Sequence, residues 1–136
     1  WKASLTKAPF FILYYGMNKI IFIIDDDYSI LEMLRDNLEQ AGFKVYTSSE
    51  SKNIMEKVTQ NIPGLVILDL VMPEVDGFGV LKLLKSDKRT SGIPVIILTT
   101  YDTREFRDKS SDLGAAKYLV KPVPIKILIE EINKQF

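Results

Sequence analysis

The chain has 136 residues, with 18 Lys+Arg balanced by 18 Asp+Glu, and it contains neither histidine nor cysteine. The length suits one domain, and 46% hydrophobic with 26% charged residues is a globular balance that excludes disorder. The two missing residue types exclude disulfides, thiol nucleophiles, Ser-His-Asp triads, imidazole or thiolate metal sites and any phosphohistidine on this chain, while zero net charge offers no basic excess for nucleic acid.

Residues 1–17 read as an N-terminal extension or linker, and 18–136 as one folded domain. Trp1 in place of Met favours truncation or processing, and Met17-Asn18-Lys19 looks like a natural start. The apolar run Phe10–Tyr15 falls far short of the ~20 residues of a membrane span, so no membrane insertion is expected. An alternative is an arm that packs on a neighbour.

The next element is a strand over Lys19–Ile24, all but uniformly apolar and so buried on both faces. A helix over residues 28–41 carries Leu31, Leu34, Leu38 and Ala41 at helical spacing, with Asp27 as its cap and Gly42 as its stop. Phe43–Thr47 is a second strand and residues 50–60 a weak helix bearing Ile54, Met55 and Val58. Leu65–Leu68 is a third, wholly apolar strand, followed by a helix over Gly79–Ser86 that buries Val80, Leu83 and Leu84. Ile93–Leu98 is the fourth strand. Thr103–Leu113 is a polar helix with little besides Phe106 and Leu113 to bury, Ala116–Val120 the fifth strand, and Pro124 opens the last helix, in which Ile127 falls on an exposed face. This alternation is (βα)5 and predicts an α/β fold, a parallel sheet covered on both faces by right-handed crossovers. Ligands of such sheets sit at the carboxyl ends of the strands.

Those ends carry the chemistry. Strand 1 runs into Asp25-Asp26-Asp27, strand 3 into Asp69, strand 4 into Thr99-Thr100 and strand 5 into Lys121-Pro122. Three carboxylates converging on one pocket raise one another's pKa unless a cation intervenes. With only hard oxygen donors available, Mg²⁺ or Ca²⁺ is the expected metal, and Mg²⁺ suits a site that also welcomes phosphate oxygens. One carboxylate can then act as a nucleophile toward phosphorus, with the Lys121 ammonium and the Thr99 hydroxyl stabilising phosphoryl oxygens.

At these residues the sequence resembles the receiver domain of bacterial two-component response regulators, from residue 18 to residue 136. The motifs that carry the resemblance are Ile23-Ile24-Asp25-Asp26-Asp27, Val66–Gly77, Pro94–Thr100 and Gly114–Pro122, matching in order and spacing as a set. The resemblance implies a flavodoxin-like, doubly wound five-stranded parallel sheet of order 2-1-3-4-5. It implies a signalling phosphoacceptor in the cytoplasm rather than an enzyme, catalysing only its own phosphorylation and slow dephosphorylation. Asp69 would take a phosphoryl group from the phosphohistidine of a sensor histidine kinase or phosphotransfer protein. Asp25, Asp26, Asp69 and the backbone carbonyl of Val71 would hold Mg²⁺, and Lys121 would pair with Asp69. Thr99 and Tyr118 would switch the face formed by helix 4, strand 5 and helix 5, and the Lys121-Pro122 bond would be cis. No direct nucleic-acid binding by this chain is implied.

Some positions depart from the family pattern. Thr100 is bulkier than the usual Ala, Val123 replaces a common Phe, and Ala116-Lys117 replace acidic residues that many DNA-binding regulators carry before Tyr118, which weighs against their usual dimer. Val71 and Tyr101, each two residues past a site residue, would flank the path of attacking water. Their hindrance predicts slow autodephosphorylation, on the order of tens of minutes or longer. Two other readings compete. A haloacid-dehalogenase-type phosphohydrolase would use Asp25 as nucleophile and Asp27 as acid/base, and an inert receiver-like interaction domain would use none of these groups.

Overall fold

Strand residues that are apolar on both faces force helices onto both sides of a sheet, and the computed structural model, which describes residues 19–136, has that form. The expected extension over residues 1–17 lies outside the described residues. In chain order the elements are β1 (Ile20–Ile24), α1 (Tyr28–Gln40), β2 (Lys44–Ser48), α2 (Ile54–Gln60), β3 (Leu65–Leu68), β4 (Val71–Met72), β5 (Val75–Asp76), α3 (Gly77–Ser86), β6 (Val95–Thr99), α4 (Arg104–Asp112), β7 (Lys117–Val120) and α5 (Ile125–Asn133). The main sheet is parallel throughout, in the order β2-β1-β3-β6-β7. Counting only these five strands, this is the expected order 2-1-3-4-5.

Alternate residues of each strand feed two cores. On one face Phe22, Ile24, Val66, Leu68, Val95 and Ile97 pack against α2 and α3, with Phe106 and Leu113 of the α4 region at the margin. On the other face Ile21, Ile23, Leu65, Ile67, Ile96 and Leu98 meet Leu31, Leu34 and Leu38 of α1 and Leu128 and Ile132 of α5. Each fully buried aliphatic side chain contributes about 1.5–3 kcal/mol. Val123 also packs here, so the smaller side chain still serves the core.

Asp27 caps α1, its carboxylate accepting from the amides of Ser29 (2.9 Å) and Ile30 (3.4 Å). Gly42, at φ 96°, turns the chain out of that helix, a backbone state that favours glycine. Several expectations shift, and Leu83, expected on the buried face of α3, is 51% exposed. Helix α2 begins at Ile54 rather than residue 50, because Asn53 adopts a left-handed conformation and ends the preceding turn. The antiparallel hairpin β4–β5 was not expected. Helix α3 begins at Gly77, two residues early, because the Asp76 carboxylate accepts from the Phe78 amide (3.0 Å) and starts the helix there. Pro124 is the residue before α5 rather than its first turn, and Ile127 is exposed as expected.

Helix α4 is polar, and Ser110 is its one buried residue. The helix is held by rings. Phe106 stacks on Tyr101 (5.2 Å between centroids, 14° between planes) and meets Phe78 edge-on (5.1 Å, 72°). Arg107 lies over the Tyr118 ring at 4.8 Å and Lys109 over Phe78 at 4.4 Å. Such contacts are worth roughly 0.5–1.5 kcal/mol each beyond the area they bury.

Candidate functional site

Register brings the site together. Ile24, the last residue of β1, lies opposite Leu68 of β3 and Ser48 of β2. The next residues, Asp25 and Asp69, therefore leave the sheet side by side, with the Asp69 amide donating to the Ile24 carbonyl at 3.0 Å. Thr99 ends β6 opposite Val120, and the Lys121 amide donates to the Thr99 carbonyl at 2.7 Å. The Lys121-Pro122 peptide is cis.

Carboxylate oxygens of Asp25, Asp26 and Asp69 lie within 4.8 Å of one another. Asp25 and Asp69 are buried, their side chains 3% and 8% exposed, whereas Asp26 faces solvent. Lys121 bridges the buried pair, its Nζ 2.5 Å from Asp25 Oδ2 and 3.2 Å from Asp69 Oδ2. Burial pushes the Asp25 carboxyl above its ordinary range, and the Lys121 hydrogen bond and the Asp27 amide only partly offset it. For Lys121, burial favours the neutral amine, but Asp25 and Asp69 outweigh it and hold the ammonium above its ordinary value. Among the described residues no buried side-chain nitrogen or oxygen lacks a hydrogen-bond partner.

The amides of Asp27 and Val71 bond the cluster, and the other expected residues lie on neighbouring elements. The Val71 amide donates to Asp69 Oδ1 at 3.1 Å, while its side chain is 40% exposed. Thr99 is fully buried at the end of β6. The Tyr118 hydroxyl donates to the Tyr101 carbonyl at 2.6 Å, and burial raises its pKa. The Tyr101 ring, 45% exposed, lies on Phe106 and so is tied to α4. Thr100 points to solvent, where its extra bulk is accommodated. Lys117 pairs with Glu131 of α5 at 3.7 Å, so the position that is often acidic carries a cation with a local partner. The Asp27 carboxylate is engaged in capping α1.

Three hard carboxylates facing one ammonium leave a negative surplus in a small, mostly buried space. That donor set fits a divalent cation with oxygen preference. Two contributors escaped the sequence reading. Gly77, read only as the last residue of the Val66–Gly77 motif, abuts the backbone of Asp69 and Leu70. Phe106, expected merely to be buried, is the centre of a ring cluster with Tyr101 and Phe78.

A family model described as the response regulator receiver domain matches residues 21–133. The DNA-binding dual master transcriptional regulator RpaA of Synechocystis sp. is 37% identical over 113 residues, covering 83% of this chain and 47% of that protein. The alkaline phosphatase synthesis transcriptional regulatory protein PhoP of Bacillus subtilis is 36% identical over 106 residues, 78% of this chain and 43% of that protein. The chain thus spans less than half the length of these relatives. Among solved structures, chemotaxis protein CheY4 of Vibrio cholerae superposes with a TM-score of 0.82 at 25% identity, covering 88% of this chain and 99% of that one. A CheY-like receiver domain from Methanospirillum hungatei gives 0.81 at 28% identity, covering 87% and 93%.

Proposed function

The chain belongs to the response regulator receiver domain family, and from that premise we propose that Asp69 accepts a phosphoryl group from the phosphohistidine of a sensor kinase or phosphotransfer protein. The observation that carries this reading is the Asp69 carboxylate lying 3.2 Å from the Lys121 ammonium, in one pocket with Asp25 and Asp26. In the transfer, a P–O bond forms at an Asp69 carboxylate oxygen as the donor's P–N bond breaks, and the electron pair returns to the imidazole nitrogen. Lys121 stabilises the negative charge on the phosphoryl oxygens, and the Thr99 hydroxyl donates a hydrogen bond to one of them. Asp25, Asp26, Asp69 and the Val71 carbonyl would hold Mg²⁺, which when bound supplies charge neutralisation for both carboxylates and phosphoryl oxygens. Thr99 and Tyr118 couple the pocket to the face of α4, β7 and α5, with Tyr118 tying β7 to the loop before α4 through its bond to the Tyr101 carbonyl.

The family and the relatives lend no support to a dehalogenase-type reading or to an inert domain, and the capping role of Asp27 leaves its carboxylate engaged elsewhere. The partner implied is a sensor kinase. We assign this chain the phosphoacceptor step, in the cytoplasm, and no direct nucleic-acid contact. Among the described residues no helix is long and apolar enough to cross a membrane.

The test is intact-protein mass spectrometry after incubation with Mg²⁺ and acetyl phosphate. Gain of one phosphoryl group by the native chain, absent in Asp69→Asn, is the expected result. Gain that persists in the variant would move the acceptor elsewhere. The same assay reads phosphoryl lifetime. With Val71 and Tyr101 hindering water, the half-life is expected on the order of tens of minutes or longer. Val71→Asn should shorten it several-fold, and Tyr101→Ala less, since that ring is held by Phe106. A native half-life of seconds would refute the assignment.

A further inference from the structure

We propose that Gly77 is a positioning residue for the acceptor: its missing Cβ lets the first turn of α3 abut the backbone of Asp69 and Leu70, and that contact sets where the Asp69 carboxylate stands. The inference rests on Asp69 being the acceptor.

A Cβ at Gly77 would lie 2.4 Å from the Leu70 Cα, 2.6 Å from the Leu70 oxygen and 2.8 Å from the Asp69 oxygen. All three are backbone atoms, so no rotamer change relieves the overlap. The Gly77 φ lies outside the left-handed region, so space rather than backbone freedom demands glycine here. Gly42 presents the opposite case: its φ is +96° and nothing lies within 4 Å of an added Cβ. Gly79, in the same helix turn, would meet nothing closer than 3.9 Å.

The hairpin explains why this contact reaches the pocket. The chain leaves β3 at Asp69, turns through β4 and β5, and returns so that the Gly77 amide donates to the Leu70 carbonyl at 3.2 Å. A side chain at 77 must push apart the two ends of that loop. Helix α3 resists, because Phe78, Val80, Leu81 and Leu84 are all buried. Asp69 and Leu70 are buried too, so neither side gives freely and the overlap is carried into the Asp69–Val71 segment. That segment carries the carboxylate, its Lys121 contact and the Val71 amide that fixes Asp69 Oδ1. A misplacement of about 1 Å at a reacting group typically costs on the order of a hundredfold in rate.

The experiment compares the native chain, Gly77→Ala and Gly42→Ala. Two quantities are read: the rate of phosphoryl uptake from acetyl phosphate with Mg²⁺, and the ¹H–¹⁵N shift of the Val71 amide. Gly42→Ala forces a side chain into a left-handed position far from the pocket, so it lowers the melting temperature without touching the site. The expected result is uptake roughly a hundredfold slower in Gly77→Ala with a displaced Val71 amide, and native uptake in Gly42→Ala. Uptake within twofold of native in Gly77→Ala, or equal loss in both variants, overturns the proposal. Should Gly77→Ala fail to fold, Mg²⁺ titration of the native chain decides: the Gly77 amide must shift along with that of Val71, and an unmoved Gly77 overturns the proposal. Uptake that survives in Asp69→Asn would overturn the acceptor assignment instead.

Discussion

Lys121→Met is expected to destabilise the metal-free protein by about 3–5 kcal/mol, the usual consequence of leaving a buried charge without its partner. The lysine is the cation that bridges Asp25 and Asp69, and the three side chains are 12%, 3% and 8% exposed, so solvent screens them little. Methionine fills the aliphatic volume of lysine and removes the charge. Three carboxylates within 4.8 Å then face one another with nothing between them. Added Mg²⁺ should restore most of the loss, because a divalent ion supplies more positive charge than the ammonium it stands in for. In the native chain Mg²⁺ should also stabilise, by about 2.7 kcal/mol at a hundredfold excess over its Kd. Urea unfolding midpoints with and without MgCl₂ measure both effects. Pairing the change with Asp25→Asn should recover part of the loss without metal. A Lys121→Met protein as stable as the native chain, or one indifferent to Mg²⁺, would show that the charges are not coupled as the distances indicate.

Phe106→Ala is expected to release α4 while leaving the sheet intact. That helix buries only Ser110, and Phe106 is the ring sandwiched between Tyr101 and Phe78. Amides of residues 104–113 should exchange roughly a hundredfold faster, equivalent to about 2.7 kcal/mol and somewhat below the 3–5 kcal/mol of a fully buried phenylalanine. Amides of β1 and β3 should keep their native protection. Hydrogen-exchange mass spectrometry separates the two outcomes. Uniform acceleration across the chain would mean that α4 opens only with the whole domain. Because the Tyr118 hydroxyl bonds the Tyr101 carbonyl, the same variant should alter the Tyr118 environment.

The parallel sheet was legible because its three inner strands are almost wholly apolar, the pattern of burial on both faces, while the edge strands β2 and β7 carry polar residues. The pocket was legible for a related reason. Strand ends converge by topology, so reading the residue after each strand collected Asp25, Asp69, Thr99 and Lys121 without any tertiary information. What escaped was governed by local backbone states. In the β4–β5 turn Pro73 sits where a turn favours it, but Glu74 adopts φ 60° where glycine or asparagine is the usual signal. The early start of α3 was hidden because two glycines near its beginning are poor helix formers; the Asp76 cap and the tight approach of Gly77 override that preference. The ring cluster around Phe106 joins α3, α4 and the loop after β6, and no spacing within one helix announces such a meeting.

The strand order bears on how the chain is made. β3 is the central strand, pairing on one side with β1 and on the other with β6, which follows it by some thirty residues. A ribosome releasing the chain from its N-terminus therefore exposes half a sheet whose open edge is Leu65-Val66-Ile67-Leu68, four apolar residues with one flank unpaired. Only when Val95–Thr99 emerges is that edge closed. Non-local parallel pairing is slow, and an unpaired apolar edge invites association with other chains. Fragments ending before residue 94 are therefore expected to aggregate during expression, whereas those extending through α5 at Asn133 should stay in solution.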